Sequence, residues 1–351
     1  MRLNTAEIGI RLQYHYSIRE ETGCLRVAVS MFLMAVFTPA WVGGADFTAA
    51  GNIPWADSSR LAQQHQDTGD LATAEQLRRD ALRSAEQMLG RDHKQVAVLL
   101  SNLGVTLRLE ERDQEAYALS LRALAIAKAS NDKRLLATVL NGLGLALWNE
   151  PARAEPVLRR SLALFEQADG DDSLDTAKVE NNLASLYSNQ HQHAKALELM
   201  TRALPLYEKY LDPEDPSLAL ALANMFAILS EQRRAEEGEP YLRRAIAIGE
   251  KVFPQTAAMA KLQVSVAALE FSRGNLQESA RILQIAIALQ ERTLGPAHPE
   301  VARSLGYYSL TLRRMHDRTA ARQAEDRSKA ILKGSGPISI DLRAERLWGG
   351  F

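Results

Sequence analysis

The amino-acid sequence predicts an all-α protein, a right-handed α-solenoid (superhelix) of about seven helix-turn-helix units. The 351-residue chain combines an ordinary apolar fraction of 46% with few aromatic residues (6%), 20 Gly and 12 Pro. This composition favours helices over strands. Small residues recur at intervals of about 42 residues, and turn-forming residues separate the segments between them. These observations together predict a repeated pair of helices.

Charge and cysteine content exclude several classes of protein. The chain carries 42 Lys and Arg residues against 43 Asp and Glu residues, so its net charge is close to zero. A dedicated nucleic-acid binder would be basic overall, and we expect no nucleic-acid partner. Cys24 is the single cysteine, which excludes an intramolecular disulfide framework and any multi-cysteine metal site. We expect no cofactor and no bound metal.

An apolar run at residues 27–37 resembles the core of a secretory signal peptide. Arg26 precedes the run, and small residues that fit a cleavage site follow it as far as Ala45. A run of eleven residues is too short to span a bilayer as a helix. We therefore expect a cleaved leader at residues 1–45, a linker at 46–56, and an exported mature chain without a stable membrane span. The alternative is an ordinary buried helix in a cytoplasmic protein.

Three columns of small residues define the repeat. The first column is Ala74, Ala116, Ala154, Ala196, Gly238, Ser279 and Ala321, and the second, seven residues further on, is Ala81, Ala123, Ser161, Ala203, Ala245, Ala286 and Ser328. A third column precedes the first by twelve residues in most repeats: Ala62, Gly104, Ala184, Ala267 and Ser309, with Gly144 after a shorter turn and Phe226 as the exception. Seven residues are two helical turns, so each second helix presents both of its small residues to the first helix.

Linkers and prolines support the same register. Residues 89–93 and 294–299 look like one linker repeated 205 residues apart, which is the distance that five repeats span in the first column. Pro156 and Pro240 are expected in the first turn of a second helix, where a missing N–H is harmless. Pro205 is expected inside a second helix and predicts a kink there.

These residues resemble the tetratricopeptide repeat, in its kinesin light chain-like subtype. The columns, the segment Leu-Gly-Pro-Ala-His-Pro-Glu-Val-Ala at 294–302 and the segment Asn-Asn-Leu-Ala-Ser-Leu-Tyr at 181–187 carry the resemblance. It covers about residues 57–333, as seven repeats longer than the usual 34 residues. Residues 334–351 leave the repeat and form a C-terminal tail or a cap. The resemblance implies a scaffold for protein binding.

The same resemblance implies a concave groove lined by first helices. A polar residue just before a recurrent Leu would face a bound segment, with Lys or Arg one helical turn earlier. The candidates are Asn102, Asn141, Lys178, Asn182, Asn224, Lys261, Arg303 and Tyr307. Asn can pair with the backbone of an extended peptide, and the cations suit acidic side chains or a terminal carboxylate. The alternative interpretation is that these Asn residues cap or bridge neighbouring helices.

Other motifs favour structural roles. Gly142-x-Gly144 occupies columns that need small residues, and His191-x-His193 lies in a turn without further ligands at metal-binding spacing. The acidic cluster at residues 166–175 is most simply a solvated linker. The sequence thus predicts a non-enzymatic scaffold that binds an extended segment of a protein partner, or alternatively an assembly module that acts through oligomerisation. It leaves the oligomeric state open.

Overall fold

The computed structural model describes residues 54–68, 70–110 and 112–334. These ranges contain fourteen helices and no strand. The helices are α1 (Pro54–Thr68), α2 (Leu71–Leu89), α3 (Lys94–Leu109), α4 (Asp113–Ser130), α5 (Lys133–Ala146), α6 (Pro151–Asp169), α7 (Leu174–Asn189), α8 (His193–Tyr210), α9 (Pro216–Glu231), α10 (Ala235–Val252), α11 (Ala257–Ser272), α12 (Leu276–Leu294), α13 (Pro299–Arg314) and α14 (Arg318–Gly334). The predicted all-α solenoid of about seven helix pairs is confirmed. The predicted leader and the tail beyond residue 334 lie outside the described residues.

Side chains in the linkers determine where six of the first helices begin. Each accepts a hydrogen bond from a backbone N–H in the first turn, a group that the helix itself leaves without a partner. The acceptors are His93, Asp132, Ser173, Asp215, Thr256 and His298. In both linkers that the sequence marks as repeated, the acceptor is the imidazole Nδ1 atom of a histidine.

Small residues lie where the two helices of a unit approach most closely, as the columns predict. A Cβ atom on Gly144 would lie 2.5 Å from the Leu158 side chain, and one on Gly104 would lie 3.2 Å from the Ala116 carbonyl oxygen. The exception at Phe226 is balanced within its own unit. A Cβ atom on Gly238 would lie 3.0 Å from the Phe226 ring, so a glycine on the second helix makes room for the large side chain on the first.

Consecutive units stack through contacts between each second helix and the first helix of the next unit. The array also curves back on itself, because α11 of the sixth unit contacts α1 of the first unit. The first helices are therefore the inner elements of a tight superhelix, and their side chains form its inner face.

The expected positions of two prolines are wrong. Helix α6 begins at Pro151 and α10 begins at Ala235, so Pro156 and Pro240 both lie in the second turn instead of the first. Pro151 takes the first-turn position of α6, where its missing N–H costs nothing. Helix α8 continues through Pro205 as one element, and the kink at that residue stays a prediction.

Candidate functional site

The Asn residues of the inner face hydrogen-bond to one another across neighbouring first helices. Asn182 Nδ2 on α7 donates to Asn141 Oδ1 on α5 at 2.8 Å. One unit further, Asn224 Nδ2 on α9 donates to Asn181 Oδ1 on α7 at 2.9 Å. The bridging interpretation of these residues therefore describes the geometry at two consecutive junctions, between units three and four and between units four and five.

These amide bridges leave hydrogen-bonding capacity on the same side chains. An Asn amide has two N–H donors and an oxygen with two lone pairs, and one bridge uses only one group of each partner. Asn224 Oδ1 is buried and has no hydrogen-bond partner among the residues that the structure describes. The bridges hold the amides in one orientation, which reduces the entropy cost of a further hydrogen bond.

Other junctions on the inner face differ in chemistry. Between units two and three, a Cβ atom on Gly142 would lie 2.0 Å from Ser101 Oγ, so the two first helices touch there without an amide. Asn102 is buried, and its backbone carbonyl accepts hydrogen bonds from the Arg78 guanidinium and from Thr106 Oγ1. Between units two and five, one pair of neighbouring first helices is therefore in close contact without an amide, and two pairs are joined by Asn–Asn bridges.

Tyr307 belongs to an apolar part of the inner face. It lines a small cleft between α11, α12 and α13, whose other walls include Val264, Phe271, Leu283 and Leu310. Burial raises the pKa of the Tyr307 phenol above its usual range. The hydroxyl therefore stays protonated and remains a hydrogen-bond donor at any physiological pH.

The predicted cations lie in two half-buried clusters. Lys178 Nζ is 3.5 Å from Asp175 Oδ1, and the Arg134 guanidinium donates to the other oxygen of that carboxylate, Oδ2, at 2.9 Å. Lys261 Nζ is 3.6 Å from Glu300 Oε1, to which the Arg303 guanidinium also donates. Each cluster thus gathers two cations around a shared carboxylate, and in the first cluster Arg134 also contacts Asp169 at 3.3 Å.

The pKa shifts in these clusters follow from burial and charge. Burial lowers the pKa of Lys178 and Lys261, although Asp175 and Glu300 respectively oppose the shift. Burial alone would raise the pKa of Glu300, but Arg303 and Lys261 outweigh it and lower that pKa to about 2. Glu300 is therefore ionised at neutral pH.

The acidic residues at 166–175, which the sequence suggests are a solvated linker, form ion pairs with Arg and Lys side chains. Arg134 of the third unit lies 3.3 Å from Asp169 at the end of the same unit and 2.9 Å from Asp175 at the start of the fourth unit. Asp172 pairs with Lys209, and Glu166 lies 3.4 Å from Arg202. These ion pairs join the third and fourth units to each other.

The turn histidines also make a contact between units. His193 Nδ1 lies 2.7 Å from Glu231 Oε2, and the buried Glu231 accepts a hydrogen bond from Ser188 Oγ. Within the part of the chain that the structure describes, no group of three or more His, Cys, Asp or Glu side chains is arranged to hold a metal ion.

Sequence reasoning missed a ladder of ion pairs along the second helices. The Glu of each pair lies five residues after the second-column residue of its own unit. The Arg lies one residue before the second-column residue of the next unit. The pairs are Glu86 with Arg122, Glu166 with Arg202, Glu208 with Arg244, and Glu291 with Arg327. The constant separation of 36 residues is readable in the sequence once the columns are aligned. Ile285 takes the place of the Arg in the sixth unit and is 44% exposed.

Comparison with known protein families supports the repeat assignment. The tetratricopeptide repeat model matches residues 53–129, 95–167, 136–209, 175–251 and 258–334. The chain belongs to the tetratricopeptide repeat family. Such repeats build scaffolds whose extended inner surfaces bind other proteins. Across the helices that the structure describes, none has the length and apolar content needed to cross a membrane.

Several solved structures resemble the chain. BtubC (BKLC) from P. vanneervenii is 27% identical, with 55% of this chain and 79% of that chain covered and a TM-score of 0.43. The nearly identical TPR-like repeats named for kinesin light chain in Podosopora anserina are 18% identical, covering 56% and 94%, with a TM-score of 0.41. The Rap conjugation gene regulator of plasmid pLS20, in complex with the Phr* peptide, is 13% identical, covering 87% and 82%, with a TM-score of 0.63. No relative was found among curated proteins.

Proposed function

We propose that this tetratricopeptide repeat protein is a non-enzymatic scaffold that binds an extended segment of a protein partner along its first helices. The observation that carries the proposal is the Asn141–Asn182 bridge, which orients two amides, 5% and 4% exposed, on the inner face and uses only one hydrogen-bonding group of each. Lys178 lies one helical turn before Asn182 on the same helix. An amide and a cation are thus combined on one helix.

The remaining amide groups of Asn102, Asn182 and Asn224 suit the backbone of an extended segment, because a peptide unit also offers one donor and one acceptor. The clusters at Lys178 and at Lys261 with Arg303 favour acidic side chains or a terminal carboxylate on that segment. A bound peptide in the Rap regulator, which has a similar fold, is consistent with this mode of binding.

The test is capture of a partner from a native extract on immobilised protein, followed by identification and a measured Kd. Asn102, Asn182 and Asn224 are replaced by Ala together, and circular dichroism checks that the fold is intact. Asn149→Ala is the matched control, because Asn149 is an exposed Asn in the turn after α5 that donates a hydrogen bond to Asp113. We expect the triple variant to weaken binding at least tenfold, which three lost hydrogen bonds of about 0.5–1.5 kcal/mol each would produce, and the control to bind normally.

Unchanged binding by the folded triple variant would overturn the groove proposal. A molecular mass that rises with concentration in sedimentation, and that the triple substitution does not alter, would favour the alternative of an assembly module. The two functions therefore give different results with the same set of proteins.

We also propose that the chain is exported after cleavage following Ala45. The apolar run at residues 27–37, with Arg26 before it and small residues after it, supports this proposal. Sequencing the N-terminus of the protein purified from its native source tests it. Residues before Ala45 in the mature protein would contradict cleavage at that position and leave the cytoplasmic alternative.

A further inference from the structure

In two of the first helices the N-cap, the residue just before the helix, is a histidine, which is unusual for this position. His93 Nδ1 accepts a hydrogen bond from the backbone N–H of Gln95, and His298 Nδ1 accepts one from the backbone N–H of Glu300, both at 3.1 Å. The other linker acceptors are side chains of Asp, Ser or Thr, whose oxygens accept at neutral pH. An imidazole accepts at Nδ1 only when that nitrogen carries no proton.

His298 lies among charged groups from two helices. Glu300 and Arg303 belong to the helix that it caps, and Lys261 belongs to α11. Burial lowers the pKa of the His298 imidazole, Lys261 and Arg303 lower it further, and Glu300 opposes them. The neutral, accepting form therefore dominates at neutral pH.

We propose that His298 is an acid-sensitive cap, which holds the first turn of α13 at neutral pH and releases it when the imidazole is protonated. Protonation removes the lone pair that accepts from the Glu300 N–H. It also adds a positive charge at the N-terminus of a helix, where the helix dipole disfavours cations. The new cation lies near Lys261 and Arg303, which repel it.

The released turn carries residues of the inner face. Glu300 and Arg303 lie in the first five residues of α13, and Glu300 also contacts Lys261 at 3.6 Å. Loosening this turn would therefore disturb the cation cluster as well as the end of the array. The direction of the pH effect follows from linkage between protonation and folding. A histidine whose pKa is lowered in the folded chain stabilises the fold at pH values above 6.5, the ordinary pKa of the side chain. This stabilisation is lost as the pH falls below 6.5.

The test is hydrogen exchange of the full chain at pH 7.5, 6.0 and 4.5, read from the peptide that covers residues 297–305. His298→Asn supplies an oxygen acceptor that does not titrate, and comparison at equal pH removes the intrinsic pH dependence of exchange. We expect equal rates at pH 7.5, and at pH 4.5 a rate in the wild type at least about fivefold above that of the variant, since a lost cap raises local opening by that order.

His93→Asn is the matched control, because it changes an equivalent cap in the second unit and leaves His298 in place. The peptide at 297–305 should respond to pH in this control as it does in the wild type. If His298→Asn does not fold, His298→Asp provides a second oxygen acceptor for the same comparison. A wild-type to His298→Asn rate ratio that is the same at all three pH values would overturn the proposal, as would loss of the response in His93→Asn.

Discussion

A buried carboxylate on α7 should make the stability of the array fall as the pH rises through neutrality. Glu180 is 1% exposed and lies 2.6 Å from Arg202 of α8. Arg202 also contacts Glu166 of α6 at 3.4 Å, so two carboxylates share one guanidinium. Burial raises the pKa of Glu180 to about 7, Arg202 opposes the shift, and Glu166 and Asp171 add to it.

The magnitude follows from the difference between the folded and unfolded pKa of this group. With a pKa of about 7 when folded and an ordinary value of 4.5 when unfolded, the folded chain keeps a proton that the unfolded chain loses. The stabilisation is complete below the unfolded value and is lost as the pH rises through the folded one. Integrated between pH 5 and pH 8, the loss is about 2–3 kcal/mol.

The assay is urea denaturation of the wild type and Glu180→Gln at pH 5 and pH 8, followed by circular dichroism. The amide of the variant cannot ionise. From pH 5 to pH 8, the wild type should therefore lose about 2–3 kcal/mol of unfolding free energy relative to Glu180→Gln. Glu198→Gln, on an exposed part of α8, is the control and should give no such shift. Parallel pH dependences for wild type and Glu180→Gln would refute the reasoning.

Four further substitutions test the bridges, the packing and the ion-pair ladder. Asn141→Ala and Asn182→Ala should each destabilise the fold, and a double-mutant cycle in urea should give a coupling of about 1 kcal/mol; additive losses would contradict the bridge. Gly144→Ala should lower the free energy of unfolding by about 1–2 kcal/mol, because crowding of Leu158 outweighs the better helix propensity of Ala, and an unchanged or raised Tm would contradict this. Ile285→Arg should add a pair with Glu250, the equivalent Glu of the fifth unit, and contribute up to about 0.5 kcal/mol, a gain that high salt should remove.

The fold could be predicted from the sequence because its determinants are local and repeated. A small residue is needed wherever two helices of a unit approach closely, so the columns report the contact in every unit. The exception at Phe226 can also be explained from the sequence, because the same unit has a glycine, Gly238, in the first column to make room for the ring. The positions of Pro156 and Pro240 were harder to predict, because helix starts depend on a few linker residues, and Pro151 opens α6 five residues earlier than expected.

The candidate site could be predicted only in part, because it depends on the distance between units. The column register alone does not show that Asn182 reaches Asn141, which lies one position earlier in the preceding unit. The carboxylates around Arg134 pose the same difficulty, since sequence spacing does not show which unit they face. The capping histidines appear in the sequence only as markers of a repeated linker, because histidine is an uncommon cap.

The contact between α1 and α11 changes how the array should behave as a whole. In an open solenoid each unit depends only on its neighbours, so an end can fray without consequence for distant units. Here the first unit also supports the sixth, and opening one end removes a contact from the other.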